Sequence, residues 1–270
     1  MQIPKNILGQ NFLLAKGHGC GETKAYQGPT LLNAGTATPI QMMSANWAYH
    51  AAALYMDTQM GIILEALESS SSKYDTIVVF LGDHGFHLGD KGLYCKHTNY
   101  EQGTKVPFII RPPLRDSALY PLGKRSYAPV ELLDLIPTLA DMTQLNFNMS
   151  GYQPFQGTTL VPILNDPENA HVKQAAQSQY FRGVGSKRIW GYTVRTTRYR
   201  YTQWGKVFEE LYDYLTDEWE MISLQKNKTL KNLMLNQAFH GGEFNLGLGK
   251  VPFDFNQRTN MANRAPQNYS

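Results

Sequence analysis

Asp83 and His84 stand side by side between two glycines, in Gly82-Asp83-His84-Gly85. Together they offer a hard carboxylate oxygen and an imidazole nitrogen to a cation. Consecutive side chains of an extended strand leave on opposite faces, so both reach one centre only where the backbone turns. The flanking glycines make such a turn easy. Two ligands are too few for Ca²⁺, which takes about six to eight, so further donors have to come from elsewhere. Lys96, His87 and His97 follow within the next thirteen positions. On residue type alone an Asp-His pair after a strand is most often a cap or turn bonded to its own loop. Lys96 reads as a solvated surface lysine, and His87 and His97 as structural histidines.

The elements around this segment favour a site. Thr76 to Leu81 is an unbroken, largely β-branched run directly before Gly82, which predicts a strand buried on both faces, as in a parallel sheet. Ligands of open α/β sheets bind beyond the carboxyl ends of strands, where Asp83 and His84 stand. Upstream, Thr38-Pro39-Ile40-Gln41 predicts a helix start, with Thr38 as cap, Pro39 at the first helical position and Gln41 closing a capping box. Apolar residues at Met43, Trp47, Leu54, Ile62 and Leu67 carry that helix to about Glu68 and give it a face to lay on a sheet. Val106 to Ile110 predicts a further strand, and Val130 to Met142, with Pro137 inside it, a kinked or broken helix. After residue 172 come Gln177–Phe181, Gly191–Thr196, Tyr199–Trp204 and Glu210–Tyr214, short segments separated by turn residues, which predict a small antiparallel sheet. Leu230 to Phe239 predicts a helix. The fold class is therefore α/β, with residues 1–171 as the main domain, 172–240 as an antiparallel-sheet subdomain and 241–270 as an irregular tail.

Composition excludes several classes. The 270 residues are 42% hydrophobic and 17% charged with a net charge of +3, ordinary for a globular protein. The basic residues are scattered, with none of the concentration that nucleic-acid binding requires. No apolar run is long enough to span a membrane. Two cysteines, Cys20 and Cys95, exclude a disulfide framework and a cysteine-rich zinc site; they pair once or stay free. The amino terminus lacks the pattern of a secretory signal. Asn-x-Ser/Thr triplets at Asn148, Asn227 and Asn268 hint at a secretory route.

The string IVVFLGDHGFHLGDKGLYCKHTNYEQGTKVPFIIRPP closely resembles the sulfatases of the alkaline phosphatase superfamily, above all the iduronate 2-sulfatase group. GYTVRTTRYRYTQW, preceded by SQYFR and followed by ELYD, resembles the carboxyl-terminal subdomain of the same group. Weaker likeness runs through ETKAYQG and YMDTQMGIILEALE, so the resemblance covers about residues 22–220. It implies an alkaline-phosphatase-like mixed or parallel sheet. It also implies Asp83 and His84 as ligands of one Ca²⁺, and Lys96 as the catalytic cation that contacts the sulfate ester and neutralises charge on its oxygens. Phe86 stands where many relatives have Trp. Arg182, Arg195 and Trp204 fall in the subdomain that shapes specificity, without an assigned role.

The nucleophile that the resemblance implies, a formylglycine made from cysteine in Cys-x-Pro-Ser-Arg, has no counterpart here: Gly-Glu-Thr follows Cys20 and Lys-His-Thr follows Cys95. The paired aspartates and the Lys-Pro-His segment of the family's amino-terminal half are also absent from the sequence. Three readings follow. One is the carboxyl-terminal half of a hydrolase of sulfated sugars, whose partner is the missing amino-terminal half. Another is a non-catalytic binding protein, and the last a phosphate or phosphonate ester hydrolase of the same superfamily. The resemblance implies a lysosomal or secreted location.

Overall fold

The computed structural model describes residues 38–145, 155–184, 187–205 and 208–229. The expected helix at Leu230–Phe239, the tail, Cys20 and ETKAYQG lie outside the described residues.

Helix α1 (Pro39–Glu68) begins as its sequence predicts. The Gln41 backbone N–H donates to Thr38 Oγ1 at 3.3 Å, and the Thr38 N–H donates to Gln41 Oε1 at 2.8 Å. The reciprocal pair satisfies amides that a helix start leaves without partners. No side chain of α1 is buried. Ile40, Trp47, Leu54, Tyr55, Ile62 and Ile63 all stay exposed, so the apolar face finds no sheet to cover it among the described residues.

Strand β1 (Val78–Leu81) pairs with β4 (Phe108–Arg111), from Val78 opposite Arg111 to Leu81 opposite Phe108. The pairing is antiparallel and all four β1 residues are only half-buried, whereas the unbroken apolar run predicts a parallel neighbour and two covered faces. An apolar run reports how much burial a strand seeks and says nothing of its neighbour's direction. Among the described residues β1 and β4 pair only with each other, so no described strand covers the other side of either.

Between them lie the short strands β2 (His87–Leu88) and β3 (Tyr94–Cys95) and the single-turn helix α2 (Glu101–Thr104). Cys95 is disulfide-bonded, buried and at φ +74°. Helix α3 (Leu135–Thr143) follows a 3-10 turn at Leu132–Asp134. The break expected near Pro137 is thus a change of helix type at Asp134. Pro137 falls in the first turn of α3, where its missing N–H costs nothing. Asp134 is fully buried; its carboxylate accepts from the Glu131 and Thr158 backbone N–H groups and from Lys173 Nζ at 2.7–2.8 Å.

Strands β5 (Ala176–Val184), β6 (Lys187–Arg195), β7 (Tyr199–Trp204) and β8 (Phe208–Asp213) form an antiparallel sheet in chain order, and the four predicted segments fall within these strands but for their last residues Thr196 and Tyr214. Trp204 and Tyr212 of this sheet pack on Leu93 and Tyr100, with Ile189 and Phe208 against them. Glu210 is buried in that core and accepts from Trp204 Nε1 (2.8 Å), Tyr100 Oη (3.0 Å) and Tyr212 Oη (2.7 Å). A buried carboxyl with three donors is satisfied. Burial pushes its pKa up, against the pull of those three hydrogen bonds. The core therefore joins the loop after β3 to the carboxyl-terminal sheet.

Candidate functional site

The backbone after β1 turns where Gly82 and Gly85 allow it. The Gly82 N–H donates to the Pro107 carbonyl (3.0 Å) and the Gly85 N–H to the Gly103 carbonyl (3.1 Å). A Cβ on Gly85 would lie 2.0 Å from the Gln102 carbonyl oxygen, so only glycine fits. The turn brings the Asp83 and His84 side chains together, with His84 Nε2 3.3 Å from Asp83 Oδ2. His84 Nδ1 lies 3.0 Å from the Gly85 carbonyl oxygen and must donate to it. In the neutral ring that leaves the lone pair on Nε2, beside the carboxylate. Asp83 is 85% exposed and His84 37%. One nitrogen and one carboxylate, both open to the cleft, fit as two members of a cation's donor set. Among the described residues no group of three or more His, Cys, Asp or Glu could hold a metal ion.

Asp83, His84, Lys96 and His97 line one cleft of about 1020 Å³, together with Glu101, Tyr180, Arg195 and Arg200. The three residues singled out by sequence thus line the same cavity, and the sheet strands β5, β6 and β7 contribute to it. Lys96 is half-buried and His97 exposed. His97 stacks on Tyr180 with ring centroids 5.2 Å apart and planes 6° apart.

The other two basic residues near the pair are structural. His87 is fully buried: Nε2 meets Thr98 Oγ1 at 2.7 Å and Nδ1 meets the Asp90 carboxylate. Lys91 is buried as well; its Nζ donates to the Trp219 carbonyl and to the Glu220 carbonyl at 2.8 Å, over the Tyr100 ring at 4.7 Å. Burial holds its pKa below the usual lysine value despite the nearby Glu220 and Asp90 carboxylates.

Residues that motif reading missed hold the loop in place. Asn99 Nδ2 donates to the Gly191 carbonyl (3.1 Å), and Arg200 Nη1 donates to the Asn99 carbonyl (3.0 Å). Glu101 receives Arg195 Nε (3.1 Å), Tyr214 Oη (3.2 Å) and Arg200 Nη2. Burial raises the Glu101 pKa, but the Arg200 and Arg195 charges and hydrogen bonds overcome it and hold the group at about 2. Arg200 also meets Glu220 at 2.6 Å. The loop residues Asn99 and Glu101 lie 92 to 113 positions from these partners in sequence, so no local spacing marks them.

The family model described as Sulfatase matches residues 20–145, and that described as N-sulphoglucosamine sulphohydrolase, C-terminal, matches residues 89–239. A sulfatase of Formosa agariphila is 31% identical over 185 residues, 68% of this chain and 33% of that protein. Human iduronate 2-sulfatase is 30% identical over 207 residues, 58% of this chain and 37% of that protein. The chain spans about a third of the length of the curated relatives it matches. The phosphonate monoester hydrolase of Agrobacterium radiobacter shares the fold, with a TM-score of 0.64 at 23% identity over 76% of this chain and 42% of that one. The sequence matches carry more than the shared fold: this chain belongs to the sulfatase family, whose carboxyl-terminal part it matches.

Proposed function

We propose that the chain forms the carboxyl-terminal half of a sulfuric ester hydrolase of sulfated sugars, with Asp83 and His84 as two metal ligands and Lys96 as the cation on the sulfate. The observation that carries this reading is the convergence of Asp83, His84 and Lys96 on one cleft in a chain of the sulfatase family. The Nε2 lone pair of His84 and the Asp83 carboxylate would hold a divalent cation, with Ca²⁺ the ion that the family resemblance implies. When bound, that ion supplies Lewis-acid and template chemistry at the sulfate oxygens. Lys96 contributes an ammonium that stabilises charge developing on those oxygens. The remaining ligands and the nucleophile belong to sequence upstream of residue 1, because no Cys-x-Pro-Ser-Arg occurs in these 270 residues. Similarity to iduronate 2-sulfatase supports a 2-sulfated uronic acid within the glycosaminoglycans as substrate. The disulfide at Cys95 supports an oxidising compartment, secretory or lysosomal.

The test is to extend the reading frame through the transcript's 5′ end, express it whole and assay sulfate release from sulfated disaccharides. The expected result is an in-frame Cys-x-Pro-Ser-Arg, metal-dependent sulfate release by the extended protein and none by residues 1–270 alone. A transcript that begins at residue 1, with no upstream coding sequence, contradicts the proposal and leaves a binding protein.

A further inference from the structure

We propose that Arg182 is a positioning residue that sets Lys96 through the carbonyl of the residue after it, His97. This rests on the sulfatase reading for the role of Lys96 and on the geometry for the rest. Arg182 is 8% exposed in β5, and its Nη2 donates to the carbonyl of His97, the residue after Lys96. Its guanidinium lies over the Tyr180 ring at 5.0 Å and the Trp204 ring at 5.7 Å. Trp204 is wholly buried, so one side of the guanidinium rests on the rigid core. Tyr180 stacks in turn on the His97 ring. One residue of the carboxyl-terminal sheet thus grips the His97 main chain directly and its side chain through a shared aromatic partner.

The backbone there has little freedom of its own. The Thr98 N–H closes on the Lys96 carbonyl at 2.5 Å, a tight reversal directly after Lys96. A Cβ on Gly103 would stand 2.8 Å from the same carbonyl oxygen, so α2 packs closely against it. Asn99, two positions on from His97, is tied to Gly191. Against these fixed neighbours, Arg182 supplies the sheet's hydrogen bond to the His97 carbonyl, one residue on from Lys96. A planar, always-charged guanidinium suits this role, because it lies flat between rings while its edge donates to a carbonyl. Neither Tyr180 nor Arg182 needs to touch the ester for this.

A double-mutant cycle in the extended, active protein tests the idea, beside amide hydrogen exchange. Arg182→Gln should lower kcat about tenfold or more with KM changed less, and Lys96→Ala about 10²–10³-fold, as for loss of one preorganised donor. In the Lys96→Ala background Arg182→Gln should then cost less than about twofold, because residues that act through one another are not additive. Exchange at the amides of residues 97–99 should rise in Arg182→Gln while β7 and β8 keep their protection. Should Arg182→Gln fold poorly, Arg182→Lys keeps the buried cation but loses the planar stack, and the same non-additivity is expected of it. Multiplicative losses in the cycle, or unchanged exchange at 97–99, overturn the positioning role. A Lys96→Ala variant with full activity overturns the sulfatase role of Lys96 instead, and the exchange result still decides whether Arg182 holds the loop.

Discussion

Replacing Glu101 with Gln removes one charge from the cluster that joins the Lys96 loop to the carboxyl-terminal sheet. The Glu101 side chain is 16% exposed and receives Arg195 at 3.1 Å together with the buried Arg200. Its pKa falls from 4.5 to about 2, and at about 1.4 kcal/mol per pH unit the ionised form favours the folded state by about 3 kcal/mol. Because the folded-state pKa lies below the unfolded one, this contribution is present above pH 4.5 and is lost as pH falls towards 2. Removing one partner of a buried pair costs a similar amount, about 3–5 kcal/mol, because the other charge is left behind. Arg200 keeps Glu220 at 2.6 Å, which places the expected loss at the low end, about 3 kcal/mol. The assay is urea unfolding of the extended protein and its Glu101→Gln variant, followed by tryptophan fluorescence at pH 7 and pH 3. The expected gap is about 3 kcal/mol at pH 7, reduced by more than half at pH 3. A gap under about 0.5 kcal/mol at pH 7, or one that is the same at both pH values, refutes the reasoning.

Gly191→Ala should destabilise the protein by about 1–3 kcal/mol, as overpacking does. Its Cβ would lie 2.6 Å from both Asn99 Nδ2 and the Trp204 ring, and an unshifted urea midpoint would show that the loop yields freely. Asp83→Asn in the extended protein should weaken Ca²⁺ binding measured by titration calorimetry and sharply lower activity, since it replaces a carboxylate ligand by a neutral amide. Unchanged metal dependence removes Asp83 from the site. Residues 1–270 expressed alone should associate in size-exclusion chromatography, because Trp47, Leu54, Tyr55 and Ile62 of α1 are exposed and, among the described residues, β1 and β4 pair only with each other; a monodisperse, cooperatively melting monomer contradicts this.

Local signals were legible wherever the interaction itself is local. The Thr38–Gln41 capping box spans three residues and was readable to the residue. The four segments of the antiparallel sheet announced themselves as short polar and aromatic stretches with turn residues between them. Asp83 and His84 come together because the two flanking glycines allow the turn, which composition alone suggests. The direction of β1's partner was not legible, because an apolar run seeks burial without specifying the strand that gives it. The grip on the Lys96 loop was equally hidden. Arg182, Arg195 and Arg200 meet loop partners 85 to 101 positions away, and a lone arginine on a strand looks the same in sequence whether it faces water or a buried carbonyl. His87 and Lys91 illustrate the converse: both are basic and close to the site in sequence, yet burial among Thr98, Asp90 and the Glu220 backbone makes them structural.

In the proposed enzyme Lys96 works on a sulfate ester bound beside Asp83 and His84, and this assignment reaches every other role. It is tested most directly by measuring sulfate and phosphate release from paired aryl esters with the extended protein and its Lys96→Ala variant. Sulfate should be released faster than phosphate, and removing the ammonium should lower sulfate turnover about 10²–10³-fold. Faster phosphate release, or equal sulfate turnover in the two proteins, contradicts the assignment.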